Sequence, residues 1–189
     1  MRAEAATPLP ETTYSTTTRL TPGELWDFVQ DMDNWAPFMV GYQSHKKISD
    51  ELSEWTLKGD AGPLARIVTF EVHVTEWNGP ERVTFRLEGV NEDMGGGGSF
   101  QIAGDDSPGP APPEPGALAR AWAAFLRMFG IGSQREGPEG GTRMTFHLEL
   151  EPRGPMAPMI SAMIQPALLP AAQNLVHQVL DRLEGETRV

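Results

Sequence analysis

Apolar and polar residues alternate along several stretches of the chain, which is the pattern of half-buried β-strands. The clearest stretch covers residues 65–77, where Val68, Phe70 and Val72 alternate with polar neighbours. A turn sequence at 78–80 separates it from another alternating stretch, so the two are predicted to form a hairpin. In total the pattern predicts about six to seven strands, at 12–20, 42–48, 55–57, 65–77, 83–87, 99–103 (after the glycine run 95–98) and 142–151.

The C-terminal part of the chain has helical spacing instead. No residue between Arg153 and Asp181 carries a formal charge, and apolar residues recur there every three or four positions. This predicts a long closing helix, interrupted by Pro158, Pro166 and Pro170. One such helix laid across the concave face of one curved antiparallel sheet is the simplest arrangement, and it can hold a pocket. The apolar positions are Met156, Met159, Ile160, Met163, Ile164, Leu168, Leu175, Val176, Val179, Leu180 and Leu183.

The sequence contains a helix start signal shortly after the first strand. Thr21 stands at the N-cap position, Pro22 at the first helical position and Glu24 three residues after the cap, which is the capping-box arrangement. The helix is predicted to end near Asp31. A second short helix or turn is predicted at 33–38.

Composition indicates one domain with one insertion. The chain has 189 residues, enough for a single domain with a sizeable core, which we place at 12–184 between a flexible N-terminus, 1–11, and a tail, 185–189. Residues 104–141 are a Pro/Gly-rich insertion that carries an amphipathic helix at 117–130. Its apolar stripe is expected to form a lid or to contact a membrane surface or a partner, through Leu118, Trp122, Phe125 and Phe129.

The charge balance narrows the range of partners. A formal net charge of −11 argues against nucleic acid, because phosphate binding needs clustered Lys and Arg. The absence of cysteine excludes disulfides and thiolate chemistry. The polar N-terminus lacks a signal-peptide core, and the prolines and amides of the closing helix argue against a transmembrane span. We therefore expect a cytoplasmic protein, with peripheral contact at the inner membrane face through 117–130 as an open alternative.

The order of these elements resembles the helix-grip fold of START-type domains, the birch-pollen allergen family and polyketide cyclases, together the SRPBCC superfamily. Segment 31–38, with its Asp, Trp and Pro, is similar to the pattern that follows the first helix in that superfamily. Segments 62–64, 95–98 and 141–146 resemble the CoxG group, which is associated with carbon monoxide dehydrogenase. The resemblance covers about residues 12–184.

The resemblance implies an α+β fold in which a curved antiparallel sheet wraps around a long C-terminal helix and leaves a cavity for an apolar or amphipathic molecule. For the CoxG group it further implies service to a molybdenum-containing dehydrogenase near the membrane and its quinone pool. The chain departs from this group in its longer insertion and in the prolines of its closing helix.

Catalytic and metal-binding motifs are absent from the sequence. The four histidines, His45, His73, His147 and His177, are scattered, and their spacing matches no zinc or iron motif. Neither a GxSxG nor an SxxK nucleophile motif occurs. We therefore assign no catalytic residue, no metal ligand and no cofactor, and a non-catalytic protein is favoured.

What remains is a set of aromatic and flexible apolar side chains that face the closing helix, and these are the candidate ligand-binding residues. Each of them is equally well explained as a packed core residue. Tyr42 is the favoured polar contact, since its hydroxyl is able to orient a ligand carbonyl. The set is Trp26, Trp35, Phe38, Tyr42, Trp55, Phe70, Val72, Phe85, Leu87, Phe100, Phe146, Met159 and Met163.

Three functions remain open at this point. The leading hypothesis is a non-catalytic carrier of a hydrophobic, lipid-like or quinone-like molecule, accessory to a carbon monoxide dehydrogenase-type partner. The first alternative is a cyclase or aromatase in which a single Tyr, His or acid moves protons. The second alternative is an assembly or membrane-recruitment factor that acts through 117–130.

Overall fold

A computed structural model describes residues 9–59, 66–104 and 141–186. The elements are β1 (Glu11–Thr18), α1 (Pro22–Val29), α2 (Met32–Trp35), a 3-10 turn (Ala36–Phe38), β2 (Tyr42–Lys47), β3 (Leu52–Gly59), β4 (Arg66–Asn78), β5 (Arg82–Gly89), β6 (Met94–Ala103), β7 (Thr142–Pro152) and α3 (Ala157–Glu186).

The seven strands form one antiparallel sheet in the order β1-β7-β6-β5-β4-β3-β2. The helix α3 packs against β1 and β7 at one side of this sheet, and the short helices after β1 lie near its other elements. This architecture confirms the α+β helix-grip fold, including the seven-strand upper bound of the prediction. Because β2 is the far edge strand, the sheet leaves one part of its concave face at a distance from the strands that hold α3.

The predicted start of α1 is confirmed in detail. The backbone N–H of Thr21 donates to Glu24 Oε2 at 2.7 Å, and the backbone N–H of Glu24 donates to Thr21 Oγ1 at 3.3 Å. This reciprocal pair satisfies two backbone donors that no helical partner can reach. It fixes the point at which the chain turns from β1 into α1, whose Leu25 and Val29 are buried in the core.

The two halves of α3 differ in what they bury. The C-terminal half contributes Leu175, Val176 and Val179 to a core that also contains Phe100, Met144 and Phe146. The N-terminal half of the helix exposes Met159, Met163 and Leu169, and Met156 just before the helix is also exposed. Buried residues are therefore most frequent in the C-terminal half of the helix, whereas before Leu168 only Ser161 is buried.

The structure corrects two expectations about breaks in regular elements. Pro158, Pro166 and Pro170 do not interrupt α3, which is continuous over Ala157–Glu186. Pro158 lies in the first turn, where a helix needs no backbone N–H donor. Pro166 and Pro170 each remove one helical hydrogen bond, and burial of Leu168 and Ala172 on either side of Pro170 offsets that loss.

The glycine run is also part of a strand, because β6 begins at Met94 and not at Ser99. A side chain at Gly98 would overlap the ring of Phe85 on the neighbouring strand, at 2.6 Å from its Cζ atom. At Gly96, φ is +156° and a side chain would collide with the backbone carbonyl of Glu149. These glycines allow a close approach between strands, which is one of the roles that glycine plays in a sheet.

The predicted insertion helix at 117–130, with Leu118, Trp122, Phe125 and Phe129, lies outside the described residues, as do residues 1–8 and 187–189. At the described N-terminus, Pro10 is already buried and its carbonyl accepts a bond from the N–H of Leu150 at 2.8 Å. Among the described helices, none combines the length and the apolarity that crossing a bilayer requires.

Two truncations on α3 test the assignment of its buried and exposed positions. Leu175 is 1% exposed and Leu169 is 45% exposed. Leu175→Ala is expected to lower the free energy of unfolding by about 2–5 kcal/mol because it leaves a cavity in the core. Leu169→Ala is expected to change it by less than about 0.5 kcal/mol. Urea unfolding followed by circular dichroism measures both values, and equal losses would contradict the assignment.

Candidate functional site

Several aromatic rings meet on the concave face of the sheet beneath α2. Trp55 on β3 is buried, and its ring lies 5.4 Å from that of Trp35 on α2. The ring centroids of Trp35 and Phe100 are 5.1 Å apart, and those of Phe100 and Phe146 in the core are 4.7 Å apart. These centroid separations are typical of tilted and edge-to-face aromatic pairs. A continuous group of rings therefore connects the packed core under α3 with the edge strand β2.

A β-bulge in β2 brings two polar side chains onto this same face. Tyr42 pairs with Leu57 and His45 pairs with Trp55, and the register shifts between Tyr42 and Ser44. In a regular strand, residues three apart point to opposite faces of the sheet. The extra residue in β2 cancels that difference, so Tyr42 and His45 both face the side on which Trp55 lies.

Gly41 fixes the start of the bulged strand. Its φ is +79°, and a side chain there would collide with the backbone carbonyl of Lys58. The Gly41 carbonyl accepts a bond from the N–H of Lys58 at 2.7 Å. Only glycine adopts this backbone conformation without strain, so the position of Tyr42 depends on it.

Five side chains form a hydrogen-bonded set that we call the Tyr42 network: Tyr42, His45, Asp33, Lys47 and Asp31. The Tyr42 hydroxyl lies 2.8 Å from His45 Nδ1, and His45 Nε2 lies 2.6 Å from Asp33 Oδ1. Lys47 Nζ donates to Asp33 Oδ2 and to Asp31 Oδ1, both at 2.6 Å. The His45 side chain is only 9% exposed and stacks on Trp55 with ring centroids 5.2 Å apart.

Charge assigns the direction of each hydrogen bond in this network. The Lys47 ammonium, and next the His45 ring, hold the pKa of Asp33 below its ordinary value of 3.8. Asp31 and then Asp33 raise the pKa of Lys47 above 10.5. An ionised Asp33 only accepts, so His45 Nε2 carries the hydrogen and donates. In the neutral ring Nδ1 then accepts from the Tyr42 hydroxyl.

This arrangement is able to take up a proton through Tyr42. When a group beside Tyr42 Oη gives a proton to that oxygen, the Tyr42 hydrogen passes to His45 Nδ1 and the resulting imidazolium is paired with Asp33. The order of groups, hydroxyl, imidazole and carboxylate, is that of an acid–base chain in which the carboxylate fixes the imidazole tautomer.

The predicted ligand-binding residues fall into three groups. Trp35, Tyr42, Trp55, Phe70, Phe100 and Phe146 belong to the aromatic group or pair with it in register. Phe38 and Phe85 pack partly buried against the core, while Val72 and Leu87 face each other half-buried on β4 and β5. Trp26 lies elsewhere, against Trp77, and Met159 and Met163 are exposed on α3.

Sequence reasoning singled out Tyr42 but missed its partners His45, Asp33 and Lys47. Nothing in the spacing of Tyr42 and His45 indicates a shared face, since that depends on the bulge. The one available signal was Asp31 in front of the short helix α2, where its carboxylate accepts from the N–H of Asp33 at 3.1 Å. This cap places Asp33 in the first turn of α2.

Three side chains that are able to ligate a cation come together on the outer face of the sheet, where sequence spacing predicted no such group. Ligand atoms of Glu11, His147 and Glu149 lie within 4.8 Å of one another because β1 and β7 pair there. Glu11 is exposed, and His147 Nδ1 is bonded to Thr13 Oγ1 at 3.0 Å. We assign no ion to this cluster.

Two hollows in the described part of the chain lie away from the concave face. One of about 310 Å³ is on the outer face near Ser99 and His147. The other, about 510 Å³, lies between α1, α2 and the end of α3, near Phe28, Asp33 and Leu183. Because Asp33 lines this second hollow, the Asp33 end of the Tyr42 network is in contact with solvent.

The Tyr42 network should make stability depend on pH at the acid end. The lowered pKa of Asp33 means that its contribution is fully present above pH 3.8 and is lost as the pH falls through the folded-state pKa. The difference in the free energy of unfolding between the wild type and Asp33→Asn should therefore decrease as the pH is lowered from 6 to about 3. Asp181→Asn, an exposed carboxylate on α3, is the control. A difference that stays constant over this range would contradict the assignment.

No known protein-family model matches the chain, and no curated protein matches it in sequence. Solved structures do match. A conserved protein from Geobacillus kaustophilus superposes with a TM-score of 0.64 at 12% identity, covering 93% of this chain and 95% of that one. The Zhui aromatase/cyclase from Streptomyces sp. R1128 gives 0.61 at 9% identity, covering 96% and 98%. A START superfamily protein from Mycobacterium smegmatis gives 0.55 at 11% identity, covering 93% and 97%.

These likenesses extend over nearly the full length of both chains in each case. At such low identities they establish the architecture and leave the ligand open. The neighbours include START and aromatase/cyclase proteins, in agreement with the superfamily resemblance, while the CoxG group is not among the descriptions of these three. The chain has the helix-grip fold of START-type proteins.

Proposed function

We propose that the protein binds a hydrophobic small molecule between the concave face of the sheet and the N-terminal half of α3. The observation that carries the proposal is the unequal burial of α3: buried residues are frequent from Leu168 onward, whereas before Leu168 only Ser161 is buried, and Met159 and Met163 are 46% and 40% exposed. A helix anchored at one end covers a sheet incompletely at the other. The neighbours described as START and aromatase/cyclase proteins support a ligand-binding use of this fold.

The strand register supports the same location. Across the sheet, Ser53, Val72, Leu87, Gly96 and Leu150 follow one another as paired neighbours. This row contains no aromatic side chain and one position with no side chain at all. Val72, Leu87 and Leu150 remain half-buried. The α3 helix begins shortly after Pro152, so the exposed half of the helix lies nearest to the Leu150 end of the row.

The role of a carrier accessory to a molybdenum-containing carbon monoxide dehydrogenase-type enzyme stays a prediction from the sequence resemblance. The structural neighbours support ligand binding without indicating such a partner. Co-migration of the protein with a purified enzyme of that class in size-exclusion chromatography is the corresponding test.

A filling substitution tests the binding site. Leu87→Trp should abolish binding of naphthalene, menadione or 1-decanol and should leave the unfolding midpoint nearly unchanged, because a ligand-sized hollow accepts the larger side chain. Ile67→Trp is the matched control. Ile67 is 59% exposed and lies on β4 three residues from Phe70, so it faces the opposite side of the sheet. Native mass spectrometry measures binding of each compound.

A solid interior would give the opposite result. Leu87→Trp would then overpack the core and lower the free energy of unfolding by about 1–3 kcal/mol, and the wild type would bind none of the three compounds. That pair of observations would refute the proposal.

A second candidate function is acid–base catalysis of the cyclase or aromatase kind. The Tyr42 network favours it, because a hydroxyl linked through His45 to an ionised Asp33 is a proton-accepting chain on the concave face. Removal of a proton from carbon beside a carbonyl would send that proton to Tyr42 Oη, the Tyr42 hydrogen to His45 Nδ1, and leave an enolate. Zhui, a neighbour in fold, is described as an aromatase/cyclase.

Exchange of carbon-bound hydrogen tests this second candidate. The protein should accelerate hydrogen–deuterium exchange beside the carbonyl of 2-tetralone in D₂O, and Tyr42→Phe should reduce the enzymatic rate about 100-fold or more. Tyr14→Phe is the control, because Tyr14 forms the same kind of bond, 2.8 Å long, with the exposed His177. NMR follows the exchange. A rate at the buffer background would exclude this activity.

A further inference from the structure

We propose that Tyr42 and His45 form the polar end of the ligand site and select a neutral, flat aromatic molecule that donates a hydrogen bond from an acidic hydroxyl, such as a phenol or an enol. This inference rests on the proposed function, because it assumes that the ligand reaches along the concave face from the proposed row to the aromatic group. The two meet on β3, where Trp55 is bonded to Ser53. It adds the chemical class of that ligand and the atom that recognises it.

The direction of hydrogen bonding at Tyr42 is the first argument. Asp33 is held ionised by Lys47, to which it is bonded at 2.6 Å, so His45 Nε2 donates to it and, in the neutral ring, Nδ1 accepts from Tyr42. The single hydrogen of the Tyr42 hydroxyl is thereby used. The Tyr42 oxygen is still able to accept a hydrogen bond, so a ligand group that bonds to it must be a hydrogen-bond donor. A ligand with only a carbonyl group does not satisfy it.

The neighbouring polar groups are already paired, which is the second argument. Trp35 Nε1 donates to the carbonyl of Val29 at 2.9 Å, and Trp55 Nε1 donates to Ser53 Oγ at 2.8 Å. The two indole donors of the aromatic group are thus used within the protein. Tyr42 Oη is left as the group of this cluster with capacity for a ligand, so a single hydroxyl suffices for recognition.

The shape and charge of the surroundings complete the argument. The His45 and Trp55 rings are stacked at an interplanar angle of 27°, and the ring of Tyr42 meets Trp55 edge to face. Flat rings pack well against such surfaces. Asp31 and Asp33 share the one ammonium of Lys47, so the network has one more negative than positive charge when His45 is neutral. A carboxylate ligand is repelled, whereas a neutral phenol or enol is not.

Two compounds that differ by one hydroxyl test the inference. Equilibrium dialysis gives the Kd of naphthalene and of 2-naphthol for the wild type, for Tyr42→Phe, for Asp33→Asn and for the control Tyr14→Phe. The wild type should prefer 2-naphthol, so that the Kd of naphthalene divided by the Kd of 2-naphthol is above one. Tyr42→Phe should lower this ratio roughly five- to tenfold, which corresponds to the loss of one hydrogen bond. Asp33→Asn should lower it as well, since an amide no longer fixes the His45 tautomer. Tyr14→Phe should keep the wild-type ratio.

The outcomes separate this inference from the proposed function. If naphthalene binds and the ratio of the two Kd values is the same in the wild type and in Tyr42→Phe, the inference is overturned and the proposed apolar site stands. Failure of both compounds to bind the wild type overturns both. Circular dichroism of each variant confirms that it is folded, and a lowered ratio in Tyr42→Phe with unchanged naphthalene binding supports the inference independently of any effect on stability.

Discussion

The structure depends on the burial of one half of one helix. Leu175, Val176 and Val179 of α3 are almost inaccessible to solvent and pack in the same core as Met144 and Phe146. Each such side chain stabilises the folded state by about 1.5–3 kcal/mol. Because a helix is a stiff rod, this anchor also determines where the N-terminal half lies. Before Leu168 only Ser161 of the helix is buried, so the helix packs less closely in that half.

A second constraint, much smaller in energy, places the polar groups. Gly41 makes the backbone turn into β2, and the bulge after Tyr42 reverses the direction in which side chains point. Without the bulge, His45 would face away from Tyr42 and the chain of hydroxyl, imidazole and carboxylate would not exist. A single extra residue on an edge strand thus connects the aromatic group with the charged pair Asp33 and Lys47.

The sequence was sufficient for the features that depend on local pattern. Alternation in 65–77, the capping box at Thr21 and the uncharged segment after Arg153 each predicted an element that the structure contains. Prediction failed where neighbours in space decide the outcome. The start of β6 at Met94 depends on the pairing of the glycine run with β5 and β7, and α3 continues through Pro166 and Pro170 where Leu168 and Ala172 are buried. The aromatic residues of the candidate site were named from the sequence, and their role in binding stays a prediction. The polar part of the site depends on a register shift that no residue spacing reveals.

The two tyrosine–histidine pairs of this chain show why residue types alone do not define a site. Tyr14 and His177 are bonded at the same 2.8 Å as Tyr42 and His45, and their rings also lie close together. His177 is exposed on α3, whereas the side chain of His45 is nearly buried against Trp55 and its second nitrogen is bonded to Asp33. An exposed imidazole exchanges partners with water, so its hydroxyl partner has no fixed direction. Only the pair whose imidazole is bonded to an ionised carboxylate has a defined direction of hydrogen bonding, and this asymmetry is the reason that the proposed recognition rests on Tyr42 and not on Tyr14.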